Sequence, residues 1–303
     1  MKKNIFLLAA SSLLLVMASC NKLDPSVDPN DLIPSIGGFD YAGASISQFS
    51  VSDSHAVRFS RGNLQYNDSL QSWVFAEHQY DYIGLDDTNI VPGYRGWIDL
   101  FGFGTCGKTV APTESSTGAE NYPEAIVYIN ENFDLSGNDW GVYNAIDNGG
   151  EQAGKWRTLT KDEWDYLLFT RAASTLGKVE NARFAKATVG DVAGLMLFPD
   201  TFHKPDGFAP VINVNMISAA FTDNVYNLDQ WAELEAIGVI FLPTAGQRYG
   251  KAVEKLGTHG SYWTSTHSAT QNGFAYSLTF SAEGIGQSQY YNSFGRSVRL
   301  VHD

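Results

Sequence analysis

Trp156-Arg-Thr-Leu-Thr-Lys-Asp-Glu-Trp164 holds the instruction that decides the fold. Thr160 followed three residues later by Glu163 is a capping box, in which each side chain satisfies a backbone N–H of the other residue. Trp164, Leu167 and Leu168 then fall on one side of a 3.6-residue period and predict a helix over Thr160 to Ala173. The residues before the cap read as extended. A strand, a capped helix and an inward Trp thus follow in immediate succession.

Working outward, the upstream chain is a series of short extended runs. Ile46 to Ser52 and Ala56 to Ser60 alternate or cluster apolar residues, and Gly62-Asn63 follows as a turn signal. Trp73 to Ala76 and Tyr80 to Ile83 continue the pattern. Gly93 to Gly107 is dense in glycine and aromatics, with Trp97, Phe101 and Phe103 as buried anchors. Tyr122 to Asn132 predicts a short helix, since Pro123 stands early, where its missing N–H is harmless. Downstream, Leu228 to Ile237 predicts a second helix with Trp231 and Leu234 inward and Gly238 ending it. Val239 to Leu242 then reads as a buried strand closed by Pro243. The expectation is an α+β fold of short antiparallel strands with about two main helices.

The start of the chain addresses its compartment. Lys2 and Lys3 precede an apolar run from Ile5 to Val16, which has the length of a signal-peptide core and is short of a membrane span. Met17-Ala-Ser-Cys20 resembles a bacterial lipobox, with Met where Leu is commoner. Residues 1–19 are therefore expected to be a lipoprotein signal peptide and Cys20 the lipidated residue, anchoring the chain to an outer membrane with its bulk exposed at the surface. Residues 20–44 are acidic and contain Pro25, Pro29 and Pro34, so they are expected to form an extended tether. Acidic residues just after the lipidated Cys resemble the surface-export signal of Bacteroidetes lipoproteins. Residues 45–303 are the expected folded domain.

Composition narrows the function. The chain has 303 residues, 44% of them hydrophobic, and a net charge of −13. That charge argues against nucleic acid, whose phosphates demand basic patches. Of two cysteines, Cys106 is left without an intrachain partner once Cys20 is lipidated, and is expected to be a packed core thiol.

The order of several segments carries a family resemblance. It opens at Val57-Arg-Phe-Ser-Arg-Gly-Asn-Leu-Gln-Tyr66 and continues through Trp73 to Gly84, Gly96 to Gly102, Asp139-Trp-Gly141 and Asn148-Gly-Gly150. It runs on through Trp156 to Trp164 and Phe241 to Gly250, and closes with Gly260-Ser-Tyr-Trp-Thr-Ser-Thr266 and Ser297-Val-Arg-Leu-Val301. Together these resemble Bacteroidetes surface lipoproteins with a major-paralogous-type domain, itself similar to the C-type-lectin-like fold and its formylglycine-generating-enzyme-like relatives. The resemblance implies a mixed lectin-like domain whose chain ends meet in one small sheet. Asn292 stands where an Arg is usual, and Arg296 where an aromatic is usual.

Chemistry is harder to find. The Glu-Pro-Asn, Gln-Pro-Asp and Trp-Asn-Asp motifs of calcium-dependent sugar binding are absent. Asn130 to Asp134 and Asn138-Asp139 offer hard oxygen ligands of the kind Ca2+ takes, but such clusters more often make turns, so no cofactor is expected. Formylglycine-type oxidation needs cysteines in the C-terminal half, and none follows Cys106. The histidines show no zinc spacing. Asp162, Glu163 and Asp165 lie in a first helical turn, where carboxylates favour the helix dipole. The expectation is a protein without catalysis, a glycan-active enzyme with two carboxylates at a set separation being the weaker rival.

The remaining signal lies between the anchors Gly260 to Thr266 and Gly295 to Val301. Here Ser, Tyr, Asn, Gln and Gly dominate, a composition that suits an adaptable contact face. The expected ligand-binding residues are Thr258, His259, Ser261, His267, Ser268, Tyr276, Gln287, Ser288, Gln289, Tyr290, Tyr291, Asn292, Ser293 and Phe294. Trp263 is expected in the core, Tyr290 and Tyr291 at the surface. The arrangement is similar to the variable proteins of diversity-generating retroelements, and equally to a fixed paralogous surface protein. The expected function is recognition of a glycan or a surface protein through this face; a pilus-tip or envelope-assembly subunit is the alternative.

Overall fold

Short strands and tight turns close into several small sheets rather than one large one. The structure, a computed structural model, describes residues 37–89, 94–108, 111–113, 138–250 and 252–303. The expected signal peptide, Cys20, most of the tether, the helix over Tyr122 to Asn132 and the oxygen-rich Asn130 to Asp134 lie outside these residues.

The first strands are β1 (Phe49–Ser52), β2 (His55–Phe59), β3 (Leu64–Asn67), β4 (Ser72–Phe75) and β5 (Trp97–Ile98). Helix α1 (Trp140–Tyr143), β6 (Arg157–Thr158) and helix α2 (Lys161–Asp165) follow, and then β7 (Phe184–Val189), β8 (Val192–Leu197) and β9 (Val225–Tyr226). Helix α3 (Leu228–Ala236) leads to β10 (Ile240–Pro243), β11 (Gln247–Tyr249) and β12 (Ala252–Glu254). The last strands are β13 (Gly260–His267), β14 (Phe274–Phe280), β15 (Ile285–Tyr291) and β16 (Leu300–His302). The sheets have the orders β1-β2-β16-β6, β10-β8-β7-β9, β4-β3-β5, β13-β14-β15 and β11-β12. All pairs are antiparallel except β7 with β9. In the first sheet the last strand enters between an early hairpin and the mid-chain strand β6, with Val301 opposite Phe59 on one side and Arg157 on the other. The architecture is α+β.

The capping box forms as read. Thr160 Oγ1 accepts from Glu163 N–H at 3.1 Å, and Glu163 Oε2 accepts from Thr160 N–H at 2.8 Å. The helix is shorter than expected: after Asp165 it widens into a π turn over Tyr166–Thr170 and stops at Arg171, whose ψ is 146°. The Arg171 guanidinium is buried, donates to the carbonyls of Leu167 and Phe198 and pairs with Asp200, so tertiary bonds end the helix before Ala173. Helix α3 has its own capping box, Asn227 with Gln230, and buries Trp231 and Leu234. Gly238 ends that segment at φ +87°, where a Cβ would lie 2.1 Å from Ser47 Oγ. Glycine is thus required there on both grounds.

Three packed clusters make the core. One joins Phe49, Phe59 and Trp164 to Tyr262, Leu278 and Phe280. A second joins Trp73, Phe101, Phe103, Trp140 and Trp156 to Trp263 and Leu300, with Cys106 among them. The third surrounds Trp231 and Phe241. Trp97 is only half-buried.

One expectation is corrected. Tyr80 to Ile83 is not a strand but a turn into a 3-10 helix over Gly84–Asn89. The buried amide of Gln79 there bonds the Val239 carbonyl and the Phe241 N–H, so this segment is fixed by a polar plug rather than a ladder. Ahead of β1, Phe39 and Ala44 are buried and join the packed clusters.

Candidate functional site

The three-stranded sheet of β13, β14 and β15 has a register that sorts its side chains onto two faces, since neighbours along a strand alternate. Ser261 lies opposite Thr279 and Gly286, Trp263 opposite Ser277 and Ser288, and Ala275 opposite Tyr290. Tyr262, Leu278 and Gln287 form a row on the other face, as do Tyr276 and Gln289.

That other face seats helix α2. Gln287 Nε2 donates to Lys161 O at 2.6 Å and to Asp165 Oδ1 at 2.8 Å. Gln289 Nε2 donates to the Tyr276 hydroxyl at 2.7 Å, its Oε1 accepts from Ser268 Oγ at 2.8 Å, and the Lys161 ammonium stands over the Tyr276 ring. Ser268, Tyr276 and Gln289 thus spend their polar groups within the fold, as does the amide nitrogen of Gln287.

The first face opens as a cleft of about 310 Å3, walled by Gln247 and Lys255 from the preceding hairpin, by His259 and Ser261, and by Thr279, Gly286, Ser288 and Tyr290. Residues 284–287 form its rim. Among the described residues no Asp or Glu lines it. Among the described residues neither the Ser261 hydroxyl nor Gln247 Nε2 has a protein hydrogen-bond partner, although both residues are almost fully buried. Gly286 holds space open, because a Cβ there would meet no atom within 4 Å.

Arg296 lies behind this wall. Its side chain is buried, donates to Ser277 Oγ at 2.9 Å and to Gln247 Oε1 at 2.8 Å, and stacks 3.5 Å from the Tyr290 ring centre and 5.3 Å from that of Trp263. Burial pushes the guanidinium down to about 10, so it remains charged at neutral pH. A planar cation thus lies between aromatics, where it stacks and adds a charge. Burial, and then the Lys255 charge, hold the His259 imidazole below its ordinary value and neutral at pH 7.

The expected site residues therefore divide. His259, Ser261, Ser288 and Tyr290 meet at the cleft, with Gln287 at its rim. Ser268, Asn292 and Ser293 are buried and are not surface contacts; Asn292 exchanges backbone bonds with Gly273 and Phe103. Ser261 is buried as well, but at the base of the cleft. Thr258 is exposed in the turn before β13 and donates to Lys255 O. Phe274 covers Tyr291 at 4.1 Å between centroids, Phe294 packs on Tyr249 and Tyr290, and His267 ends its strand opposite Ala275. Tyr290 and Tyr291 are half-buried rather than exposed, and Trp263 is in the core as expected. Sequence reading missed Gln247, Lys255, Thr279, Gly286 and Arg296. Period-two alternation along β15 would have grouped Gly286 with Ser288 and Tyr290.

Asp139 caps α1 and gives one oxygen to Gly141 N–H and the other to Thr158 N–H, which accounts for it as a turn residue. Among the described residues no group of three or more His, Cys, Asp or Glu is placed to hold a metal ion.

A family described as Domain of unknown function (DUF8237) matches residues 216–301, a span that includes the whole terminal sheet and every wall of the cleft. No curated protein and no solved structure matches the chain.

Proposed function

We propose that this chain is a surface-exposed outer-membrane lipoprotein, anchored through Cys20, whose C-type-lectin-like domain binds a saccharide without catalysis. One observation carries the reading: a small concave cleft on the terminal sheet, walled by hydroxyl, amide and imidazole groups beside the rings of Phe280 and Tyr290, with no carboxylate among the described residues of its wall. A volume of about 310 Å3 is that of a compact small-molecule site, where a few convergent polar groups set orientation. The Ser261 hydroxyl and Gln247 Nε2 open onto the cleft without a protein partner among the described residues, and a ligand bearing many hydroxyls can bond both. Glycoside hydrolysis needs two carboxylates flanking the bond, so the cleft favours holding a sugar over cleaving it.

The test is a glycan array probed with the full chain and with Gly286→Phe. Position 286 is in open space within a strand, so Phe fills the cleft while the fold stands. The expected result is binding of a restricted glycan set by the parent, lost in the variant at an unchanged melting temperature. No glycan bound, or equal binding by both proteins, overturns the reading. Failure on glycans with capture of a neighbouring envelope protein is the outcome that fits an assembly subunit.

A further inference from the structure

The lining of the cleft carries a cation with no bonded counter-ion among the described residues. The chain as a whole has a net charge of −13, yet among the described residues the charged side chain that lines the cleft is a cation, Lys255. Lys255 is exposed at the wall, and its ammonium has no protein partner among the described residues. Arg296 is fully buried behind Gln247 and Tyr290, and its hydrogen-bond partners, Ser277 and Gln247, are neutral. Its Nε has no partner. A buried charge without a counter-ion is unfavourable, and its field is little screened. Two carboxylates stand just outside the lining: Glu283 accepts from Ser281 Oγ at 2.7 Å and is held below its ordinary value first by that bond, with His259 and Lys186 adding to it, and Asp165 accepts from Gln287 Nε2 at 2.8 Å and pairs with Lys161.

From this arrangement we infer that the cleft selects an acidic saccharide, a sugar unit carrying a carboxylate, with Lys255 meeting the carboxylate directly and Arg296 supplying the field behind Gln247 and Tyr290. The Ser261 hydroxyl and Gln247 Nε2 are the free donors at the base that complete its hydrogen bonds. The inference rests on the saccharide reading above and narrows it to a charge class.

The experiment separates the two. The full chain is titrated by calorimetry with methyl β-glucuronide and with methyl β-glucoside, which differ in a carboxylate at one carbon. The expected result is about tenfold tighter binding of the acid at low salt, the order of effect of a charge-assisted contact. That advantage is expected to shrink several-fold between about 50 mM and about 0.5 M NaCl, because the Lys255 end is open to solvent. Lys255→Met removes most of the advantage, and Lys255→Arg retains it. Equal affinity for acid and neutral sugar, or an advantage that survives Lys255→Met, overturns the charge inference and leaves the saccharide reading standing. Binding of neither sugar, with the array also empty, overturns both.

Discussion

The guanidinium of Arg296 lies 3.5 Å from the centre of the Tyr290 ring, so the cleft and the core share one aromatic wall. One face of Tyr290 is occupied by a buried cation, and only the other can meet a ligand. The pair also explains why the terminal sheet tolerates a fully buried Arg: the ring supplies a negative π face where no carboxylate stands.

Removing that ring leaves the cation stranded. Tyr290→Ala is expected to lower unfolding stability by about 2 kcal/mol or more, the sum of lost aromatic burial and a desolvated cation–π contact. Tyr290→Phe keeps the ring and should stay close to the parent. Urea unfolding of the two variants checks this; equal losses would show that the hydroxyl, not the ring, supports Arg296.

The two faces of the sheet make opposite predictions. Gln289→Ala breaks bonds to Tyr276 and Ser268 on the α2 side and should cost stability with no change in ligand affinity. Ser261→Ala removes a free hydroxyl at the cleft base and should weaken binding several-fold, the effect of one hydrogen bond, with little change in stability. Calorimetry and thermal melts on the same samples read both. A loss of affinity in Gln289→Ala would place the ligand on the wrong face here.

What the sequence made legible follows from where each signal is stored. The Thr160 cap is local, and α2 begins where its box places it; α3 begins at Leu228, as the inward Trp231 and Leu234 and the closing Gly238 predict. Anchors such as Phe101, Phe103 and Trp263 are large, apolar and flanked by small residues, and they are buried. The hairpin of β7 and β8 was not anticipated, because it is packed on both sides: Leu195 and Leu197 enter one cluster, Ala185 and Met196 another. A strand buried on both faces loses the alternation that betrays a strand. The terminal segment was read as one polar contact face because its composition is uniform. Its alternation, however, sends Ser288 and Tyr290 to the cleft and Gln287 and Gln289 toward α2. Lys255 and Gln247 come from a separate hairpin, and no spacing within the terminal segment points to them.

Thr160 tests the capped turn directly. Thr160→Ala removes the acceptor for Glu163 N–H and is expected to cost about 1 kcal/mol. Glu163 is also held by two bonds from Arg157, at 2.8 and 2.9 Å, so Glu163→Ala should cost more than the cap alone. Denaturant melts rank the two. If Thr160→Ala proves the costlier, the Arg157 pair contributes little at this half-exposed site.

Asp99 sets a pH dependence of definite sign. It is fully buried and stands beside Asp87. Burial raises the Asp99 carboxyl above its ordinary value, although Asp99 Oδ2 accepts from Ile83 N–H at 2.8 Å. Asp87 is raised well above its ordinary value by burial first and then by the Asp99 charge. A carboxyl with a higher pKa folded than unfolded binds more protons when folded, so stability falls as pH rises from its ordinary value of 3.8 through the raised folded value. The penalty is largest above that window. Asp99→Asn keeps an oxygen for Ile83 and leaves Asp87 free to face Arg248, the cation whose charge partly offsets the rise. The variant is therefore expected to melt higher than the parent at pH 8, by a few degrees if about 1 kcal/mol is recovered, with the gap closing toward pH 4. His259 and His302 are both lowered by burial and impose the opposite slope below about pH 6.5, but they are common to both proteins and cancel in the difference. A variant that melts lower than the parent at every pH would mean that the interior needs the Asp99 charge, with Arg248 as the group that demands it.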